Sequence, residues 1–241
     1  MTALDEARLQ IAQGSRILAG EAILDAYGHV SRRHPDRSDT FLMPRDMAPA
    51  LVESGDIVEL DLDGVAVFEK DAKLFLERFI HAEIYRKRPE VQAVVHSHAP
   101  GVLPFAAVPS APVRAISHMC GFLHGMPSPF DLAHHAGPAS DLLIRNRKQG
   151  QALAEHLGGA AVVLMRGHGY TTVGSGVPEA VFHAIYTSLN CEVQRHAMQL
   201  GQPIYLSEGE ARTANASVMP ESGRAWDLWC HIHVPDGSMS S

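Results

Sequence analysis

Two apolar runs, each too short for a buried helix and each ending in histidine, constrain this chain more than any other feature. They are "AVVHSH" (93–98) and "AAVVLMRGHG" (160–169). Valine-rich runs of this length, bounded by proline and glycine, read as buried strands. Positions i and i+2 of a strand point to one face, so His96 and His98 stand side by side. A tight glycine-flanked turn puts His168 at the end of the second strand. Neutral imidazoles in an interior need partners, and a divalent cation suits them. Three protein ligands with one position open is the pattern of a catalytic metal site rather than a structural one. The plainer reading, of hydrogen-bonded core histidines, stands beside it because HxH is a common pattern. "HIH" (231–233) and "HH" (134–135) lie in polar or Pro/Gly-flanked stretches and read as surface.

The remaining pattern mixes helices and strands. Residues 3–26 have apolar positions at helical spacing, with Gly14 and Gly20 as breakpoints. Residues 28–35, 40–44 and 54–64 read as strands, the last ending in an Asp-Gly turn. Residues 73–87, 101–108, 146–159 and 177–201 read as helices, the longest with proline in its first turn and glycine past its end. The segment 109–140 and everything from 202 onward read as mostly irregular. With no strict βαβ repeat and no glycine-rich phosphate loop, the expectation is one α/β domain over 1–241 with a largely antiparallel sheet, its core at about 5–210 and a tail at 211–241.

Composition serves mainly to exclude. A net charge of −7 gives no reason to expect a nucleic-acid or anionic-membrane partner. Three cysteines, Cys120, Cys191 and Cys230, are widely spaced and odd in number, which fits a reducing, cytoplasmic setting better than a disulfide framework. The charged N-terminal stretch does not read as a signal peptide, and no apolar run is long enough for a membrane span.

The stretch "ERFIHAEIYRKRPEVQAVVHSHAP" (77–100) together with "RGHG" (166–169) resembles the class II aldolase/adducin family, and the resemblance extends over about residues 5–210. It implies a three-layer α/β/α fold with a central, mainly antiparallel sheet. It implies one divalent metal ion per subunit, zinc or manganese with iron as a further option, on His96, His98 and His168. It implies an acid/base carboxylate nineteen residues before the first of these, which is Glu77. On periodicity alone Glu77 is a helix-surface carboxylate paired with Arg78 or Lys73. The resemblance also implies a homo-oligomer, commonly a tetramer, with the site near a subunit interface. Adducin-type members lack the ligands that this chain keeps.

Sugar-phosphate aldolases of the family hold phosphate with a GN(I/V)S segment, a TPTG segment and paired serines before the glutamate. The corresponding stretches here are "GHVS" (28–31), "MPRD" (43–46) and "LFLE" (74–77). A phosphate dianion needs several charge-assisted hydrogen bonds, and Phe75 and Leu76 supply none. Arg45 offers a fork for a carboxylate, Phe75 an apolar wall, and His29 a titratable donor near Ser31. His118, after the apolar run of "AISHMCGF", is a candidate for the pocket wall opposite the metal. The chain thus resembles the family's decarboxylases of hydroxylated aromatic or heteroaromatic carboxylates, such as dihydroxyphthalate and hydroxy-methylpyridine-dicarboxylate. Glu77 would protonate carbon, its pKa raised by the apolar helix and pulled the other way by the metal's charge, a balance that sequence leaves open. The alternative is an aldolase or epimerase acting on a sugar or sugar acid. Tyr170, Trp226 and Trp229 read as packing residues.

Overall fold

In a computed structural model describing residues 1–234, six short strands form one antiparallel sheet: β1 (His29–Arg33), β2 (Thr40–Pro44), β3 (Ile57–Asp61), β4 (Ala93–Ser97), β5 (Val162–Met165) and β6 (Gly169–Gly174). Their spatial order is β3-β2-β1-β4-β6-β5. Eight α-helices accompany them among the described residues: α1 (Ala3–Gly20), α2 (Arg78–Lys87), α3 (Leu103–Ala107), α4 (Ala133–Ala136), α5 (Arg147–Leu157), α6 (Val177–Leu200), α7 (Glu208–Val218) and α8 (Ser222–His233).

Both faces of the sheet are covered, which is why the strands read as continuous apolar runs. Val95 and Leu164 face a core built with Ile11 and Leu18 of α1, Val181 and Phe182 of α6 and Trp229 of α8. Val94 and Val163 face a second core built with Ile80, Ile84 and Tyr85 of α2 and Leu153 and Leu157 of α5. The result is the α/β/α layering that the resemblance implied. Full burial of a valine or leucine contributes about 1.5–3 kcal/mol, so these two layers hold β4 and β5 firmly in place.

Several boundaries differ from those expected. Helix α1 ends at Gly20 and passes unbroken through Gly14, against which Val177 and Val181 of α6 close. Helix α2 starts at Arg78, not at 73. The Arg78 guanidinium donates to the carbonyls of Phe75 and Gly64, which ties the preceding segment into a turn. Glu77 is therefore the residue before the helix rather than a position on its face. Residues from 202 onward are not irregular. Ser207 and Glu210 form a reciprocal capping box that starts α7, and α8 then packs Trp229 beside Phe182 and Tyr186. His233 of the "HIH" stretch bonds Glu21 at 2.7 Å, while His231 is exposed. The tail beyond 234 lies outside the described residues. Within 109–140, a short 3-10 segment (118–123) and α4 are the regular pieces. All three cysteines are buried free thiols, and no helix of the described residues is long and apolar enough to cross a membrane.

The pairing of β4 with β6 requires close backbone approach at Gly169. A methyl group there would lie 2.1 Å from the Ser97 carbonyl oxygen and 3.1 Å from Cα of His98. Gly169→Ala should therefore destabilise the fold by about 1–3 kcal/mol, measured by urea denaturation, because the obstructing atoms are backbone and cannot rotate away.

Candidate metal centre

The sheet register delivers the site. His96 on β4 lies opposite His29 on β1 and opposite Thr171 on β6. His98 follows the end of β4, and His168 precedes the start of β6 in a turn where Gly167 adopts φ +65°. The three Nε2 atoms converge: His96 to His98 is 3.0 Å, His96 to His168 is 3.1 Å, and His98 to His168 is 3.0 Å. Oε2 of Glu77 lies 3.2 Å from Nε2 of His168 and 3.5 Å from Nε2 of His96. These four side chains form the one His/Cys/Asp/Glu group among the described residues whose donor atoms share such a point. His96 and Glu77 are buried, while His98 and His168 remain partly open, so the cluster is closed behind and accessible in front.

Outer contacts orient three of the four groups. Nδ1–H of His168 donates to the Leu142 carbonyl at 2.7 Å, which turns Nε2 toward the other imidazoles and Glu77. Nδ1 of His96 meets the Thr171 hydroxyl oxygen at 3.1 Å. The Ile144 N–H donates to Oε1 of Glu77 at 2.9 Å, which leaves Oε2 toward the imidazoles. Leu142 and Ile144 belong to one loop, and Leu142 sits in the left-handed region at φ +65°, a costly conformation for leucine. Sequence reading missed this loop because its contribution is backbone, and no side-chain pattern marks a carbonyl or an amide that serves a site.

Burial, with the neighbouring His96 and His168, pushes His98 down to about 4. Burial likewise lowers His96, against the pull of Glu77. At His168 burial opposes the charged form, but the Glu77 hydrogen bond and charge outweigh it and the pKa is raised. Burial raises Glu77, yet the hydrogen bonds from His168 and His96 prevail and hold it well below the usual carboxylate range. Of the opposing influences at Glu77, the polar cluster outweighs burial against the apolar helix, and the resting group is a carboxylate.

Lone pairs of neutral imidazoles at 3.0–3.1 Å repel one another unless a cation or proton lies among them. Three imidazole nitrogens and a carboxylate oxygen are a donor set that a divalent transition ion fits, with zinc, manganese and iron all compatible.

The other sequence candidates divide. His29 is 4% exposed and joins the site through ring contacts to His96 at 5.2 Å and to Phe75 at 4.7 Å. Phe75 is thereby the wall next to His29. Ser31 is wholly buried, and its hydroxyl bonds Nδ1 of His81 at 2.6 Å and the Tyr85 hydroxyl at 2.7 Å. Arg45 is exposed and sets Nε and Nη2 on Oδ1 of Asp56 at 2.9 and 2.8 Å, because the β2–β3 pairing of Pro44 with Ile57 puts the two side by side. No hydrogen bond or ring contact joins Arg45 to the cluster among the described residues. His118 is exposed and borders a surface groove with Leu206 and Glu210 of the α7 region, not the imidazoles of its own chain. Tyr170 is a packing residue, its hydroxyl donating to the Ala184 carbonyl. His81 received no role from sequence, although it lies in the motif. It contacts Nδ1 of His29 at 2.7 Å through Nε2.

An ion bound at about 100 times its dissociation constant stabilises its protein by about 2.7 kcal/mol, roughly 5–10 °C in Tm for a chain of this size. Scanning calorimetry of the protein as purified and after chelation should resolve that difference. His96→Ala should abolish both the shift and stoichiometric metal content measured by plasma emission.

The model of the class II aldolase and adducin N-terminal domain matches residues 10–195. Decarboxylase tropJ of Talaromyces stipitatus is 42% identical, with 90% of each chain covered. The 3,4-dihydroxyphthalate decarboxylase of Arthrobacter keyseri is 32% identical over 74% of this chain and 73% of its own. An aldolase II superfamily protein from Pseudomonas syringae superposes with a TM-score of 0.81 at 20% identity, covering 99% of this chain and 96% of that one. The fold, the four-residue cluster and these matches agree: the chain belongs to the class II aldolase and adducin N-terminal domain family.

Proposed function

We infer that the protein is a carboxy-lyase that removes CO2, without oxidation, from a hydroxylated aromatic or heteroaromatic carboxylic acid. The observation that carries this reading is the Phe75–His29 wall beside the cluster, with ring centroids 4.7 Å apart, where a phosphate-binding site would need small polar donors. A planar ring can lie against Phe75 while its oxygens face His29 and the imidazole cluster. The 42% and 32% identical relatives that are themselves named decarboxylases support the same reading.

His96, His98 and His168 would hold the divalent ion, with Glu77 adjoining them. When bound, the ion supplies a Lewis acid for the negative charge that decarboxylation leaves on the substrate. Glu77 handles the proton. As an ionised carboxylate it accepts the ring-hydroxyl proton at Oε2, giving the phenolate. The bond between ring carbon and carboxylate then breaks, its electron pair stays on the ring, and CO2 departs. Glu77 returns the same proton to that carbon and is again a carboxylate. One hydroxy acid monoanion becomes one phenolate and one CO2, with no redox change. The Ile144 amide on Oε1 keeps Oε2 aimed throughout.

The assembly we propose is a homo-oligomer. The exposed apolar side chains Leu189, Val193, Leu200 and Ile204, on the second half of α6 and just beyond it, support a contact between copies there.

The test is CO2 release from a panel of ortho-hydroxy aromatic acids by metal-loaded protein. Activity should be lost on chelation and fall by about 10²–10⁴-fold in Glu77→Gln, whose amide neither takes nor gives the proton. Release of no CO2 across the panel, with retro-aldol cleavage of a sugar acid instead, would replace this reading.

A further inference from the structure

Behind the metal cluster runs a hydrogen-bonded row of four side chains: Tyr85, Ser31, His81 and His29. The contacts are Tyr85 Oη to Ser31 Oγ at 2.7 Å, Ser31 Oγ to His81 Nδ1 at 2.6 Å, and His81 Nε2 to His29 Nδ1 at 2.7 Å. Tyr85 is 1% exposed, while Ser31 and His81 are fully buried. Water therefore does not complete their bonding, and their protons must be placed within the row.

Counting donors fixes the direction. The Tyr85 hydroxyl has the Ser31 oxygen as its one acceptor among the described residues, since its other contact, the Val94 backbone N–H, can only donate, so Tyr85 donates and Ser31 accepts. Ser31 then has one proton of its own, and the one acceptor left to it is Nδ1 of His81. His81, accepting at Nδ1, carries its proton on Nε2 and donates to Nδ1 of His29. His29, accepting at Nδ1, carries its proton on Nε2. That Nε2–H has no protein partner among the described residues, and the ring that bears it stands between Phe75 and His96.

Resting on the decarboxylase reading, we propose that His29 donates its Nε2–H to an anionic oxygen of the substrate, carboxylate or phenolate, and that His81 is the positioning residue that selects this tautomer, with Ser31 and Tyr85 fixing the direction of the row. The opposite tautomer would turn a bare lone pair toward a carboxylate and repel it. A buried donor preset before the substrate arrives needs no reorganisation as charge develops on the bound oxygen. A hydrogen bond to a charged oxygen of this kind is worth about 10- to 100-fold in affinity or rate. The arrangement also accounts for histidine at 29: an imidazole reaches both the internal acceptor contact with His81 and the external donor position through opposite nitrogens.

The experiment uses the full chain, zinc-loaded and labelled with 15N-histidine, with salicylate as the probe ligand. Long-range 1H–15N correlation should find the proton of His29 on Nε2 in the wild type. Tyr85→Phe removes the proton that directs Ser31, so His29 should become a mixture of tautomers. His81→Met should weaken salicylate binding and lower kcat/KM by about 10-fold or more at unchanged zinc content, and His81→Gln, which keeps an amide N–H donor, should recover part of the loss. In the double variant His29→Met/His81→Met the loss should match that of His29→Met alone, because His81 acts through His29. A proton on Nδ1 of His29 in the wild type, or losses that multiply in the double variant, would overturn the proposal. If the wild type releases no CO2 from any acid, the decarboxylase reading falls by itself. The tautomer and the salicylate cycle then still decide the row.

Discussion

Three imidazole nitrogens held within 3.0–3.1 Å of one another are electrostatically unfavourable as neutral lone pairs, and much of the surrounding structure serves to keep them there. The Leu142 carbonyl and the Thr171 hydroxyl take up the outer nitrogens of His168 and His96. The Ile144 amide holds Glu77 from behind. Each contact costs conformational freedom, and at Leu142 it also costs backbone strain. A convergence maintained at that cost is a preformed site, in which the energy of ordering is spent during folding and not during ligand binding.

The antiparallel sheet is the device that makes such convergence possible. Neighbouring strands lie about 4.8 Å apart, so side chains placed opposite one another on β1, β4 and β6 meet without any long-range adjustment. Helices on both faces keep the register from slipping, because a one-residue shift would turn Val94 and Val95 out of their separate cores and reverse His96 with them. The same layering explains the two environments at the site. Its back is dry and accommodates the Tyr85–Ser31–His81–His29 row, while its front, at His98 and His168, reaches solvent.

The electrostatics bear directly on the chemistry. Burial alone would make Glu77 a weak acid that keeps its proton, but hydrogen bonds from His168 and His96 make it a carboxylate instead. A single group that first accepts and then returns a proton suits a reaction in which a hydroxyl is deprotonated and a carbon is protonated in the same turnover. Phe75 and His29 border this histidine-rich corner with an apolar ring face and an imidazole.

Much of this was legible in the residues alone. Strand periodicity with an HxH pattern announced His96 and His98 as neighbours, the glycine-bounded turn announced His168, and the motif spacing singled out Glu77. The histidine signals are local, governed by a period of two and by turn geometry, while Glu77 was marked only by the resemblance to the family's motif. Chain order could not say that Arg45 would pair with Asp56, that the Ser31 hydroxyl would be consumed by His81 and Tyr85, or that His118 would lie on another surface. Nor could it foresee the two C-terminal helices, whose packing through Trp229 depends on partners some forty residues earlier on α6. Which donor finds which acceptor, and whether a carboxylate gains or loses its proton, depend on distances between segments remote in sequence. Those distances exist only once both faces of the sheet are packed.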